Sequence, residues 1–257
     1  MSTDSAHDLP SHTAPSDTAS VHETAERLAK VVHEGQRTIP EERSLLVCKP
    51  SRVESWRIFK IMSEFVEGFD VIRQYGLAVS FFGSARASFE DEVYRDATQL
   101  AGRLAKKGFA IITGGSSGVM QAANKGAFEA GGDSVGLNIN LPEAQSYNPY
   151  LTNKFGFDHF FVRKVMLTYA SEVYVYFPGG FGTLDEFFEI VTLVQTKKIR
   201  AVPIILFGKH YWEPLLAFIE ETLYREHKAI NQKDMELYTL VDSVDEAYDY
   251  ITANVSC

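Results

Sequence analysis

Short apolar runs alternate with amphipathic stretches along most of this chain. Residues 77–82, 109–112, 134–139, 173–177 and 202–207 are predominantly apolar, the pattern of strands buried on both faces. Helical spacing fills the intervals, over 89–107, 118–130, 162–170, 184–197, 211–224 and 244–252. Strands that each lead into a helix predict an α/β fold, a parallel sheet covered on both sides. A longer amphipathic helix is expected over 51–75, where Ile58, Ile61, Met62, Phe65, Phe69 and Ile72 recur on one face. It suits packing or a subunit contact better than a ligand site.

The N-terminus follows different rules. Residues 1–20 carry almost no large apolar side chain and should form a disordered tail. Residues 21–50 read as a polar helix with Leu28, Val31 and Val32 on one face, then a connector punctuated by Pro40 and Pro50. The folded domain is therefore placed at 51–257. The formal charge of −9 argues against a broad nucleic-acid surface, which needs clustered Lys and Arg. Two cysteines, Cys48 and Cys257, lack metal-ligand spacing and suit a reducing cytoplasm. No signal peptide is read at the start, and no uncharged apolar run reaches membrane-spanning length.

In parallel α/β folds ligands collect at the carboxyl ends of the strands. Three glycine-bearing turns fall there: Gly83-Ser84-Ala85-Arg86, Thr113-Gly114-Gly115-Ser116-Ser117-Gly118, and Pro178-Gly179-Gly180-Phe181-Gly182-Thr183. The last follows a strand and opens a helix, and glycines with free helix N–H groups form an anion site. Glu186 sits three residues beyond Thr183, so the pair also fits a T-x-x-E capping box. A phosphate cradle beside a carboxylate points to chemistry on a sugar phosphate or nucleotide. The first turn has one glycine and the second strand ends without an acid, which disfavours the usual NAD fingerprint. The Gly-Lys-Ser/Thr ending of a P-loop is absent. Gly114-Gly115-Ser116-Ser117-Gly118 fits a serine-hydrolase elbow by pattern alone, with no histidine whose context recommends it. Lys164 is the one lysine that tempts a pyridoxal phosphate reading, and its context does not resemble such a site.

The run Pro178-Gly179-Gly180-Phe181-Gly182-Thr183-Leu184-Asp185-Glu186 resembles the hallmark of the LOG (LONELY GUY), lysine-decarboxylase-like family. Phe161-Val162-Arg163-Lys164 resembles its Arg-Lys segment, and Phe82-Gly83-Ser84-Ala85-Arg86 its first turn. The segment from Gly136 to Pro142, with Asn148-Pro149-Tyr150, is similar to the longer bacterial members. Ser116 and Ser117 stand in a loop that relatives commonly begin with three glycines.

This resemblance implies a Rossmann-like doubly wound sheet with helices on both faces. Along the chain it reads as a single domain with an N-terminal helical extension, and the first 50 residues lie outside the resemblance. The resemblance also implies hydrolysis of the N-glycosidic bond of a nucleoside 5′-monophosphate, AMP or a cytokinin riboside monophosphate, to free base and ribose 5-phosphate. The catalytic pair carries over to Arg163 and Glu186, with Arg163 expected to keep Glu186 ionised. Nucleotide binding falls to Ser84, Gly114, Gly115, Gly118, Lys164, Gly179, Gly180, Gly182 and Thr183. No metal or other cofactor is needed for this reaction. A homodimer or higher homo-oligomer is expected, with no nucleic-acid or membrane partner. The alternative is a non-catalytic nucleotide- or cofactor-binding protein of the same fold.

Overall fold

The structure, a computed structural model, describes residues 55–140 and 147–255. The tail and polar helix expected before residue 51 lie outside the described residues. In chain order the elements are α1 (Ser55–Ile72), β1 (Ala78–Phe82), α2 (Glu92–Lys106), β2 (Ala110–Thr113) and α3 (Val119–Glu129). There follow β3 (Ser134–Ile139), β4 (Asn153–Phe157), α4 (Phe160–Tyr169), β5 (Val173–Tyr176) and α5 (Phe181–Gln195). The chain closes with β6 (Ile204–Phe207), α6 (Lys209–Phe218), a π-helical continuation over Ile219–Glu226, a 3-10 turn over Gln232–Glu236, β7 (Thr239–Val241) and α7 (Val244–Asn254).

All strands pair in parallel, in the order β4-β3-β2-β1-β5-β6-β7. The strand order reverses between β1 and β5. The connections leaving these two neighbours diverge to opposite halves of the sheet, which opens a crevice at their carboxyl ends. The doubly wound fold is thus the one the alternation predicts.

Strand periodicity divides the core in two. Val173, Val175 and Phe177 face Leu100 and Leu104 of α2, Val119 of α3 and Ile251 of α7. Tyr174 and Tyr176 point the other way, into Met166 of α4, Phe187 of α5 and Trp212 of α6. Each large apolar side chain buried this way contributes roughly 1.5–3 kcal/mol. The Trp212 indole N–H donates to the carbonyls of Tyr176 and Phe207, so this aromatic cluster leaves no polar orphan at its centre.

Helix α1 packs through one face, where Ile72 is buried and Glu64 reaches the start of α4. Glu64 Oε2 accepts the His159 backbone N–H at 3.1 Å, and Oε1 lies 2.9 Å from His159 Nδ1. His159 is therefore committed to holding α1 against the sheet. The opposite face of α1 leaves Trp56, Phe59, Met62 and Val66 more than half exposed.

Candidate active site

Backbone hydrogen bonds lash the three glycine-bearing turns together. Ser84 N–H donates to Pro178 O at 2.9 Å, and Val119 N–H donates to Ser84 O at 2.9 Å. Ser117 Oγ adds a bond to Ala85 O at 2.9 Å. Gly118 makes this approach feasible. Its φ is +70°, and an added Cβ would stand 2.1 Å from Ser84 O. Behind the second turn, Asn148 donates to Ser116 O and to Asn124 Oδ1, and Thr113 Oγ1 donates to Asn124 Oδ1. This buried polar network fixes the turn from below.

The turns enclose a crevice of about 640 Å³. Its wall contains Ser84 and Arg86 from the first turn, Gly114 from the second, Met120 from the start of α3, and Gly179, Gly180, Gly182 and Thr183 from the third. Phe160, Arg163 and Leu167 of α4 and Glu186 of α5 complete it.

Arg163 reaches the crevice along a fixed path. Its Nε donates to Leu137 O of β3 at 2.8 Å, and its guanidinium passes directly over Gly114. Burial lowers its proton affinity while the Glu186 charge opposes that shift. Glu186 is 6% exposed, and no described residue donates a hydrogen bond to its carboxyl group. Burial pushes its pKa up to about 7; Lys164 pulls it down, Glu189 pushes up, and Arg163 pulls down less than Lys164. The expectation that Arg163 keeps Glu186 ionised is corrected accordingly. Desolvation outweighs both cations, and the carboxyl group is poised to gain or lose a proton near neutrality.

The capping-box reading is also corrected. Helix α5 begins at Phe181 with Gly180 as its N-cap, so Thr183 and Glu186 lie inside the helix and no side chain caps it. Glu186 is thereby released from a backbone role. The N–H groups of Gly179, Gly180, Phe181 and Gly182 find no acceptor among the described residues. A Cβ at Gly180 or Gly182 would meet nothing within 4 Å. Internal packing therefore does not account for either glycine, and both leave the backbone open to close approach from the crevice.

Three sequence-derived binding residues stand elsewhere. Gly115 and Gly118 do not line the crevice; both have positive φ and shape the turn behind it. Lys164 also lies outside the wall. Its Nζ is 2.5 Å from Asp185 Oδ2 and 3.1 Å from Glu189 Oε2, the latter contact electrostatic rather than a directed hydrogen bond. A lysine so paired is raised in proton affinity despite burial and is not a free amine. Ser116 is buried and Ser117 is bonded to the first turn, so neither serine presents a nucleophile to the crevice. Sequence reasoning did not assign Arg86, Met120, Phe160 or Leu167 to the site. Arg86 was visible in the first turn, but the other three carry no signal apart from helical periodicity.

Among the described residues no group of three His, Cys, Asp or Glu side chains is arranged to hold a metal ion. No described helix is long and apolar enough to cross a membrane.

Fold and site together define a parallel α/β protein with a glycine-lined crevice and a buried carboxyl group at its topological switch point. The chain belongs to the family described as "Possible lysine decarboxylase", the LOG family, whose pattern matches residues 120–251. A rice protein named as a probable cytokinin riboside 5′-monophosphate phosphoribohydrolase is 30% identical over 132 residues, which cover 50% of this chain and 53% of that protein. A Rhodococcoides fascians protein named cytokinin riboside 5′-monophosphate phosphoribohydrolase is 28% identical over 122 residues, 46% of this chain and 61% of that protein. The chain thus spans between half and two thirds of these two relatives' length. Among solved structures, the molybdenum cofactor binding protein of Rippkaea orientalis superposes with a TM-score of 0.52 at 21% identity, covering 70% of this chain and 96% of that one. That likeness concerns the fold.

Proposed function

We propose that this protein hydrolyses the N-glycosidic bond of a nucleoside 5′-monophosphate, giving free base and ribose 5-phosphate. The observation that carries the reading is Glu186. It is a buried carboxyl group to which no described residue donates a hydrogen bond, and it lines a crevice together with Gly179, Gly180, Phe181 and Gly182, whose N–H groups have no acceptor among the described residues. Binding a nucleotide without turnover needs the cradle and not the carboxylate.

In this scheme the 5′-phosphate lies on the N–H groups of Gly179, Gly180, Phe181 and Gly182, beside Thr183. Remote binding energy of this kind places the ribose near Glu186. As the C1′–N bond breaks, its electron pair leaves with the base, positive charge grows on the ribose, and the base nitrogen receives the proton that Glu186 takes from water. The Glu186 carboxylate stabilises that charge and takes the proton of the attacking water, whose oxygen bonds to C1′. A pKa of about 7 suits a group that must accept a proton and pass it on. Arg163, held by Leu137 O, fixes the substrate's orientation. Met120, Phe160 and Leu167 supply an apolar wall for the base.

The same reading expects the protein in the cytoplasm as a homodimer or higher homo-oligomer. The exposed apolar face of α1 supports self-association, since a patch of that kind is unusual on a monomer. A solution mass of 28.8 kDa by light scattering would remove that part.

The test is chromatography of AMP, isopentenyladenosine monophosphate, GMP and CMP after incubation with the purified protein. Free base and ribose 5-phosphate are expected, with the fastest substrate naming the preferred base. Intact nucleotides, together with a raised melting temperature in one of them, would replace the enzyme with a binding protein.

A further inference from the structure

Helix α6 reaches the third glycine-bearing turn through Tyr211. The Tyr211 hydroxyl donates to Gly179 O at 2.8 Å. Tyr211 is half-buried and does not line the crevice, so it cannot meet a ligand there. Its position is well determined. Gly208 turns the chain with φ +95° directly after β6, and Tyr211 packs edge-on against the buried Trp212 at 5.0 Å between ring centres. Trp212 is anchored in turn by two backbone carbonyls.

The bonded carbonyl belongs to a peptide between two glycines. Such a peptide has little steric preference for either orientation, because neither flanking residue carries a Cβ. In a trans peptide the carbonyl and the following N–H point in opposite directions. Fixing Gly179 O toward Tyr211 therefore turns the Gly180 N–H away from α6, toward the side on which Gly179 and Gly180 line the crevice. That N–H has no acceptor among the described residues, and a Cβ on Gly180 would meet open space.

We infer that Tyr211 is a positioning residue for anion binding, its hydroxyl locking the Gly179–Gly180 peptide so that the Gly180 N–H is presented to the substrate's phosphate. The inference rests on the function proposed above only in naming that phosphate. It adds a residue outside the crevice on which recognition of the phosphorylated sugar depends.

The experiment is calorimetric titration of the full chain and of Tyr211→Phe with two ligands, ribose 5-phosphate and adenosine. Losing the alignment of one donor to a charged group weakens ribose 5-phosphate about five- to tenfold. Adenosine, which lacks the phosphate, should change by less than about twofold. Equal affinities of both proteins for ribose 5-phosphate, or parallel losses for both ligands, would overturn the inference. If Tyr211→Phe does not fold, the wild-type Gly180 amide resonance decides. A large shift on adding ribose 5-phosphate supports the inference, and an unmoved resonance overturns it. A wild-type protein that binds ribose 5-phosphate but cleaves no nucleotide would remove the glycosidase and keep the role of Tyr211. A wild-type protein that binds neither would remove both.

Discussion

The Arg163 guanidinium occupies the space that a side chain at Gly114 would need: an added Cβ would lie 2.5 Å from Nη2. Gly114 has no positive φ, so its requirement for glycine comes from this side chain, with Met120 Sδ also close at 2.8 Å. The second turn and Arg163 are thus fitted to each other. Gly114→Ala should displace Arg163 while leaving the fold intact. A decrease in kcat/KM of at least about tenfold is expected, since ångström-scale misplacement costs that much or more. Steady-state kinetics beside a thermal melt checks it, and unchanged kinetics would separate Arg163 from catalysis.

Gly180 presents the opposite case. With φ −103° and no neighbour for a Cβ, alanine fits the free protein without strain. Gly180→Ala should melt within about 2 °C of wild type, the range of a surface change. Its methyl group nevertheless stands where the phosphate must approach, so AMP affinity should fall by about tenfold or more, worth about 1.4 kcal/mol. Calorimetry on the variant tests this, and retained affinity would place the phosphate elsewhere.

The sheet's interior strands and the principal helices were legible because burial on both faces leaves an uninterrupted apolar run, as in Val173 to Phe177. The two edge strands were not. β4 reads Asn153-Lys154-Phe155-Gly156-Phe157 and β7 spans only three residues, and both are only partly buried, so neither needs an uninterrupted apolar run. At the site, the glycine motif led to the right crevice. The start of α5 was misplaced because Thr183 and Glu186 satisfy the spacing of a capping box, while the chain enters the helix at Gly180 instead. Lys164 looked like a ligand for phosphate, since sequence does not show that α4 turns it toward Asp185 and Glu189. Tyr211 carried no signal, because its partner is a backbone carbonyl contributed by a distant turn.

Burial of Glu186 has a cost in stability. Its pKa is raised from 4.5 to about 7 on folding, so the folded state prefers the protonated form. The favourable contribution is fully present below about pH 4.5 and is lost as pH rises to about 7. Above that, keeping the carboxylate buried costs about 3 kcal/mol. Glu186→Gln should therefore melt several degrees above wild type at pH 8 and close to it at pH 4. Melting curves at both pH values test this, and equal curves at pH 8 would mean that the carboxyl group is better solvated than its position implies.

Lys164 exerts the largest downward pull on Glu186. Lys164→Met removes that pull and leaves Asp185 and Glu189 unopposed nearby, so the pKa of Glu186 should rise further above about 7. The acid limb of kcat/KM should move to higher pH by the same amount, with Lys164→Arg restoring it. A profile that keeps its acid limb in a folded Lys164→Met protein would show that another group limits the reaction.

The central claim is that Glu186 carries N-glycoside hydrolysis. Release of adenine from AMP at pH 8, followed for wild type and Glu186→Gln with AMP affinity measured in parallel, tests it most directly. The account predicts turnover by wild type, and a variant that binds AMP with comparable affinity but releases no adenine. A Glu186→Gln protein that still releases adenine at the wild-type rate would contradict it.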